Sequence, residues 1–332
     1  MEPKKQRFWQ AASMLPPTLA ERLALLPQEI QDKAREIRLR AEKPLQLSLR
    51  DGEVFLTAGG KTSPTPGADS FVVSRELLAA SFRTVCGYSV HTHQNEIREG
   101  FVTLRGGHRA GVCGTCVGGE DGPTGIRDIS SLNIRVAREV FGAGDRAVEE
   151  FYACRRGVLL AGPPCSGKTT VLRDMARQIS SGCRGSICKV ALVDERGELA
   201  AVCGGIPQND VGPCTDVLDG FPKPRGISIA VRTLAPDVIV CDELGSREDA
   251  EAALEGLSSG VRLAASVHGS SPEELMERPA LRLLMEEGAF DRVLFLESRE
   301  QAGKVRQIWR RGESFAQDFG VLPDCGGVRT GR

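Results

Sequence analysis

The segment 162–169, GPPCSGKT, combines glycines, a lysine and hydroxyl side chains in the spacing of a phosphate-binding loop. Glycines let the backbone curve until its N–H groups point at phosphate oxygens, and a following helix adds the positive end of its dipole. In this pattern Lys168 reaches the β- and γ-phosphates, and the Thr169 hydroxyl ligates Mg²⁺. The segment therefore predicts a site for ATP and Mg²⁺. The expected nucleotide-binding residues are Gly162, Pro163, Pro164, Cys165, Ser166, Gly167, Lys168, Thr169 and Thr170.

Two acidic residues, Asp242 and Glu243, directly follow the apolar run VIVC. Such a run is typical of a buried parallel strand, and open sheets of this kind bind ligands at the carboxyl ends of their strands. We expect Asp242 to bind nucleotide-associated Mg²⁺ through its water shell and Glu243 to orient and deprotonate the attacking water. A helix cap is the alternative, but Ser246 and Asp249 already have the spacing of a capping box.

A second acidic cluster and a histidine end two other strand-like runs. Asp194, Glu195 and Arg196 follow KVALV, and His268 ends LAASVH. Because these runs are expected in the same sheet, we predict Asp194 as a metal ligand, Glu195 as a catalytic carboxylate and His268 as a γ-phosphate sensor. The alternatives are a surface ion pair worth less than about 1 kcal/mol and an ordinary structural histidine.

Arginines crowd the segment 98–135, which begins at Arg98. Arginine suits bidentate contacts to phosphate, so we expect some of these side chains to reach the nucleotide from a neighbouring domain or the next subunit. A solvated hairpin face and a weak nucleic-acid patch are the alternatives. The candidates are Arg105, Arg109, Arg127 and Arg135.

The architecture expected from the sequence is α/β with two domains. In residues 145–332, short apolar runs alternate with helical or loop sequence, which indicates a parallel, helix-covered sheet. In residues 1–144 we expect a smaller α+β domain with a helical pattern over 16–40, a helix near 75–86, and hairpins around Asp51-Gly52 and Gly106-Gly107. The Pro- and Gly-rich segment 203–225 is expected to be a long functional loop, and the tail after Gln317 to be loosely ordered.

Composition limits the partners. The chain has 43 basic and 44 acidic residues, so no overall field attracts nucleic acid or an anionic membrane. Its 11 cysteines lie in a chain without a secretory leader pattern, which favours a reducing cytoplasm. Zinc at Cys113, Cys116 and His108 would lack a fourth ligand. No apolar run approaches the roughly 18 to 20 residues of a membrane span.

Five segments in this order, IREGFVTLRGGHRAGVCG, GIRDISSLNIR, VDERGEL, PDVIVCDELG and ASVHG, resemble the stage III sporulation protein AA family. The resemblance extends over about 36–311. That family is a branch of the type II/IV secretion ATPases, so the resemblance implies a RecA-like ATPase domain behind a smaller N-terminal domain. It also implies a homo-hexameric ring that binds ATP and Mg²⁺ at or near subunit junctions.

The same resemblance implies roles for particular residues. The segment 194–196 corresponds to the Asp box of these ATPases and His268 to their His box, while arginines of the N-terminal domain act on the nucleotide. It further implies a cytoplasmic protein docked on membrane proteins of a channel between mother cell and forespore, where it drives assembly or transport.

Two other functions stay open. One is a nucleic-acid-binding P-loop ATPase, which the balanced charge and the two Trp and two Tyr residues make a poor fit for base stacking. The other is a nucleotide-gated scaffold with little turnover, for which a catalytic base such as Glu243 is unnecessary.

Overall fold

The computed structural model describes residues 3–119 and 122–312. They form two compact units. Unit 1 comprises the chain up to residue 139 together with 201–209, and unit 2 comprises 140–200 together with the chain from 210 onward. The tail expected after Gln317 lies outside the described residues. Part of the expected loop 203–225 thus packs with the N-terminal part of the chain rather than with the parallel sheet.

Unit 1 contains five α-helices among its described residues: α1 (Pro3–Ala12), α2 (Pro17–Ala24), α3 (Gln28–Lys33), α4 (Arg75–Val85) and α5 (Gln94–Arg98). Short 3-10 turns cover Val90–His93 and Arg105–Gly107. Its strands are β1 (Ala34–Arg40), β2 (Lys43–Pro44), β3 (Gln46–Leu49), β4 (Glu53–Leu56), β5 (Thr62–Ser63), β6 (Val72–Val73), β7 (Phe101–Thr103), β8 (Arg109–Gly119) and β9 (Gly122–Arg135).

The main sheet of unit 1 is antiparallel and has the strand order β5-β4-β3-β1-β9-β8-β7. The hairpin expected at Asp51-Gly52 is confirmed, because β3 and β4 pair on either side of it. The hairpin at Gly106-Gly107 is confirmed by the pairing of β7 with β8, and α4 confirms the helix expected near residues 75–86.

The helical pattern expected over residues 16–40 is wrong in its last part. The helix α2 ends at Ala24 and α3 ends at Lys33, and the segment AREIRLR forms the strand β1. In this strand Ile37 and Leu39 are buried two positions apart, which is the period of a strand rather than a helix. Pairing with β3 on one side and β9 on the other makes β1 a central strand. Tertiary pairing therefore overrides the local helical pattern.

Unit 2 contains the helices α6 (Asp145–Tyr152), α7 (Lys168–Ser181), α8 (Lys223–Ile229), α9 (Arg247–Ser258), α10 (Pro272–Glu277) and α11 (Pro279–Glu286). A π-helical turn, Ala230–Leu234, follows α8, and a 3-10 turn covers Arg299–Gln301. Its strands are β10 (Gly157–Gly162), β11 (Val190–Asp194), β12 (Thr215–Asp219), β13 (Val238–Cys241), β14 (Arg262–His268), β15 (Arg292–Leu296) and β16 (Val305–Arg310).

The sheet of unit 2 has the order β12-β11-β13-β14-β10-β15-β16, and all neighbours pair in parallel except β15 with β16. The α/β class with a parallel-rich sheet is thus confirmed. The five apolar runs expected as strands form β10, β11, β13, β14 and β15. The interiors of these strands are buried because helices cover the sheet.

The expectation of a structureless loop over 203–225 is only partly correct. Residues 215–219 form β12, which pairs in parallel with β11 at the edge of the sheet, and α8 begins at Lys223. Edge strands are half exposed and show little apolar alternation, so the pattern of residues does not reveal them. No helix in the described part of the chain is long and apolar enough to cross a membrane.

Candidate nucleotide-binding site

The phosphate-binding loop joins β10 to α7, as the sequence predicts. Gly167 has a φ of 91° in the left-handed region, which glycine adopts without steric cost. A Cβ atom at Gly167 would lie 2.7 Å from the backbone nitrogen of Gly303, and one at Gly162 would lie 2.6 Å from Ser166 Oγ. Larger residues at these two positions would therefore displace the loop.

Lys168 is the first residue of α7 and is almost fully buried. Its Nζ donates hydrogen bonds to the backbone oxygens of Gly162 at 2.7 Å and Pro163 at 2.9 Å. Burial lowers the pKa of Lys168, and the charge of Glu243 partly offsets this effect. The ammonium group is thus held inside the loop where phosphate oxygens bind in proteins of this pattern.

Neighbouring strands bring three predicted residues to the same edge of the sheet. The strand β14 lies between β13 and β10, and His268 at its end is in register with Gly162 of the phosphate-binding loop. Asp242 and Glu243 directly follow β13. The parallel arrangement therefore places the loop, the histidine and the acidic pair side by side, as the sequence predicts.

Glu243 lies in a linked set of charged groups. Its carboxylate accepts from Arg196 Nη1 at 2.5 Å, and its Oε1 lies 3.2 Å from His268 Nε2. On the other side of the ring, His268 Nδ1 lies 3.3 Å from Lys168 Nζ. An ammonium group only donates, so this geometry suits the tautomer that carries its proton on Nε2 and donates to Glu243. We call Arg196, Glu243, His268 and Lys168 the charged relay.

Two buried oxygens at the site have no hydrogen-bond partner among the described residues: Ser166 Oγ and Asp242 Oδ1. A buried polar group without a partner is costly, so a ligand that paired with both oxygens would stabilise this part of the structure. Asp242 is 4% exposed, and burial raises its pKa to about 6, helped by the charge of Asp194. Lys223 acts in the opposite direction.

These oxygens fit nucleotide-bound Mg²⁺. The ion prefers hard oxygen ligands and is commonly bound through one or two carboxylates together with substrate phosphates. The hydroxyl of Thr169 and the carboxylate of Asp242 are ligands of this kind. No cluster of three or more His, Cys, Asp or Glu side chains suited to a metal occurs in residues 3–119 and 122–312, so the phosphates would have to complete the coordination.

Asp194 is occupied by the protein itself. Its carboxylate is fully buried and accepts from the backbone N–H groups of Glu198 at 2.9 Å, Leu199 at 3.0 Å and Ala200 at 2.8 Å. Three such bonds fix the turn that follows β11. The structure thus gives Asp194 a loop-fixing position, and its role as a metal ligand stays a prediction.

Glu195 forms a salt bridge with Lys223, a residue that the sequence analysis did not single out. Lys223 is 6% exposed, and burial lowers its pKa, but the hydrogen bond to Glu195 and the charges of nearby carboxylates together outweigh this and leave the pKa raised. In the sequence Lys223 stands between Pro222 and Pro224 in a segment expected to be a loop, so only its position in the fold reveals its burial.

The predicted arginines all lie in unit 1. Arg105 is exposed in a 3-10 turn, and the Arg109 guanidinium lies 4.1 Å from the ring centroid of Phe101. Arg127 Nε lies 3.6 Å from Asp128 Oδ2, and Arg135 Nε lies 3.4 Å from Glu36 Oε1. Arg98 ends α5. Their contact with a nucleotide stays a prediction.

The cysteine pair considered for zinc lies on β8, where Cys113 and Cys116 are both exposed. His108, the third candidate ligand, is fully buried, and its Nδ1 accepts from the backbone N–H of Ala137 at 2.9 Å. Burial lowers the pKa of His108 to about 4. Its surroundings explain this histidine as a structural residue of unit 1.

A glycine loop between a strand and a helix, with a buried lysine and two acids on a nearby parallel strand, defines a P-loop protein. The sheet is that of the RecA-like proteins, and comparison with one solved structure supports this fold. The chain is similar to the pilus retraction motor PilT with bound ADP, with a TM-score of 0.53 and 18% identity over 79% of this chain and 74% of that one. The Legionella pneumophila ATPase DotB gives a TM-score of 0.48 and 17% identity over 82% and 68% of the two chains.

Residues 10–315 match the model of the family described as sporulation stage III, protein AA, and the chain belongs to this family. It is 37% identical over 321 residues to Stage III sporulation protein AA of Bacillus subtilis (strain 168). The match covers 96% of this chain and 98% of that relative.

Proposed function

We propose that this chain is a Mg²⁺-dependent ATPase that works as the motor of a secretion-ATPase-like ring. The observation that carries the proposal is the charged relay, which links the lysine of the phosphate-binding loop to the acid after β13 through His268. The relay connects the group that contacts phosphate to the group that activates water. A site that only bound nucleotide would not require this connection.

Binding of ATP involves the loop and Lys168. The loop N–H groups and the start of α7 hold the phosphates, and Lys168 exchanges the backbone oxygens of Gly162 and Pro163 for phosphate oxygens. Thr169 and Asp242 would hold Mg²⁺, which when bound neutralises charge on the phosphate oxygens. Nucleotide and Mg²⁺ would supply hydrogen-bond or metal partners to Ser166 Oγ and Asp242 Oδ1, which have none among the residues that the structure describes.

Hydrolysis involves Glu243 and His268. Glu243 takes a proton from the attacking water, and the N–H of His268 holds its carboxylate in place. When Lys168 turns to the phosphates, His268 Nδ1 loses its neighbour and becomes free to respond to the γ-phosphate. Arg196 places a positive charge next to the carboxylate of Glu243. Glu195 is a further catalytic candidate, and the salt bridge with Lys223 holds its carboxylate.

The wider role follows from the family. A relative named Stage III sporulation protein AA and a structural neighbour named a retraction motor support a motor in endospore formation. We propose a cytoplasmic homo-hexamer that contacts the membrane through partner proteins and drives assembly of, or transport through, a channel between mother cell and forespore. Arginines of unit 1 would complete the nucleotide site of a neighbouring subunit.

The test is ATP hydrolysis as a function of protein concentration, with sedimentation measured in parallel. Wild type is compared with Lys168→Ala and with Lys61→Ala, a matched change at an exposed lysine of unit 1. We expect specific activity to rise as the oligomer forms, to vanish in Lys168→Ala and to persist in Lys61→Ala. Turnover by a monomer at a rate independent of concentration would refute the ring and the arginines supplied by a neighbour.

A further inference from the structure

Lys223 is a buried cation surrounded by acidic groups. It is the first residue of α8, is 6% exposed, and forms a salt bridge with Glu195 after β11. The charges of Asp242 after β13 and Asp249 at the start of α9 also act on it. Lys223 thus lies among groups from three separate elements of unit 2.

Burial of a lysine is unfavourable unless its charge is well paired. Removing a lysine from water is unfavourable, and the salt bridge with Glu195 repays this only when its geometry is well fixed. The side chain of Glu195 is about one third exposed, whereas that of its partner Lys223 is almost fully buried. Lys223 therefore holds Glu195 from the protein side and leaves the other side of the carboxylate accessible.

Glu195 and Arg196 are neighbours in the turn after β11, and they bind two different partners. Glu195 binds Lys223, whereas Arg196 binds Glu243. Asp194 fixes the same turn through three backbone N–H groups. With the backbone of the turn fixed, the salt bridge to Lys223 determines where the Glu195 carboxylate lies.

From this arrangement we propose that Lys223 is a positioning residue for ATP hydrolysis, which holds the carboxylate of Glu195 in its working orientation beside the end of β13. The proposal rests on the ATPase function proposed above. Lys223 acts through Glu195 and does not contact the nucleotide, since Lys168 is the lysine of the phosphate-binding loop. Misplacing a catalytic group by about 1 Å costs up to about 100-fold in rate, so a role of this kind is measurable.

The experiment is a double-mutant cycle on the full chain with Lys223→Met, Glu195→Gln and the combined variant. Lys33→Met is the matched control, because Lys33 also pairs with a glutamate but on the surface of unit 1. The rate constant kcat, the KM for ATP and the melting temperature are measured for each variant. Melting reports on folding, whereas a change in kcat without a change in KM reports on positioning.

We expect Lys223→Met to lower kcat about ten-fold or more with KM for ATP changed less than about three-fold. Glu195→Gln is expected to lower kcat as well, and adding Lys223→Met to it should change kcat by less than about three-fold. Lys33→Met should match wild type. Near-complete coupling of the two residues in kcat is the result that supports the proposal.

Three results would overturn it: wild-type kcat in Lys223→Met, wild-type kcat in Glu195→Gln, or effects of the two changes that multiply. If Lys223→Met alone does not fold, the combined variant, which removes both partners of the salt bridge, is compared with Glu195→Gln, and a further fall in kcat refutes the positioning role. A wild-type chain that binds ATP without hydrolysing it refutes the proposed function itself, which these variants distinguish from failure of the positioning role alone.

Discussion

The carboxyl edge of the parallel sheet in unit 2 and the arginine-bearing strands of unit 1 carry their charges in different ways. At the sheet edge, Lys168, Asp242 and Lys223 are buried and their neighbours are defined. In unit 1, Arg105, Arg127 and Arg135 are exposed. Buried charges interact through a low dielectric and are expensive to misplace, whereas exposed charges are screened.

This difference indicates which groups of the proposed site a single chain positions by itself. The sheet edge is preorganised, and two of its buried oxygens, Ser166 Oγ and Asp242 Oδ1, have no hydrogen-bond partner within the described part of the chain. The arginines have ordinary surface contacts such as the ion pair of Arg127 with Asp128. Exposed arginines interact more strongly with a charged partner when that partner removes their water, so their proposed role needs a test of its own.

The largest effect expected is that of Lys168→Ala. Removing the ammonium group deletes the main phosphate contact of the preorganised region and breaks the charged relay at His268. We expect ATP hydrolysis to fall by about 1000-fold or more, since the lysine stabilises charge that develops in the transition state. A steady-state phosphate-release assay measures it. Residual activity above about one tenth of wild type would refute the role proposed for Lys168 and the charged relay in hydrolysis.

Glu243→Gln is expected to lower kcat by about 100-fold or more while nucleotide binding is retained, because general base catalysis contributes about 100- to 10,000-fold. The amide oxygen can accept from only one of Arg196 and His268, and the side chain cannot take a proton. Binding is followed with a fluorescent ATP analogue and turnover with phosphate release. Unchanged kcat would remove Glu243 as the base.

His108 tests the contrast between the units through stability. Burial lowers its folded-state pKa to about 4, below the ordinary value of 6.5, so the unfolded chain binds the proton more readily between these values. Stability is therefore lost as the pH falls through this window, by about 2 kcal/mol between pH 7 and pH 5. Urea unfolding of wild type and of His108→Asn, which keeps an acceptor for the Ala137 N–H, measures this loss.

The His108→Asn variant should show a weaker pH dependence than wild type over the same window, because its side chain does not titrate. Equal slopes in the two proteins would show that other groups cause the loss. Such a result would weaken the view that His108 is a structural residue of unit 1, whereas the buried polar groups at the sheet edge of unit 2 serve chemistry.

The smallest effect is expected at the exposed arginines. Arg105→Ala should lower hydrolysis about ten-fold and leave the melting temperature unchanged, because its side chain is exposed in a turn. Mixing this variant with Lys168→Ala should restore part of the activity, since each chain supplies what the other lacks. No recovery on mixing would mean that Arg105 does not act on a neighbouring subunit. The same pairing with variants of Arg109, Arg127 and Arg135 then identifies which arginine does.

The sequence by itself determined the phosphate-binding loop, the strands that flank it and the residues at their carboxyl ends. These features depend on local order: β10 must precede the loop, α7 must follow it, and Asp242, Glu243 and His268 stand directly after or at the end of apolar strands. Parallel pairing then brings strand ends together in any chain with this alternation.

Only the tertiary structure determined which residues the side chains of the site contact. The salt bridge of Glu195 with Lys223 joins positions 28 residues apart, and that of Arg196 with Glu243 joins positions 47 apart. The carboxylate of Asp194 accepts from backbone N–H groups, and the segment AREIRLR forms a central strand because β3 and β9 pair with it. Burial and long-range pairing set these outcomes, and neither leaves a periodic signal in the local sequence.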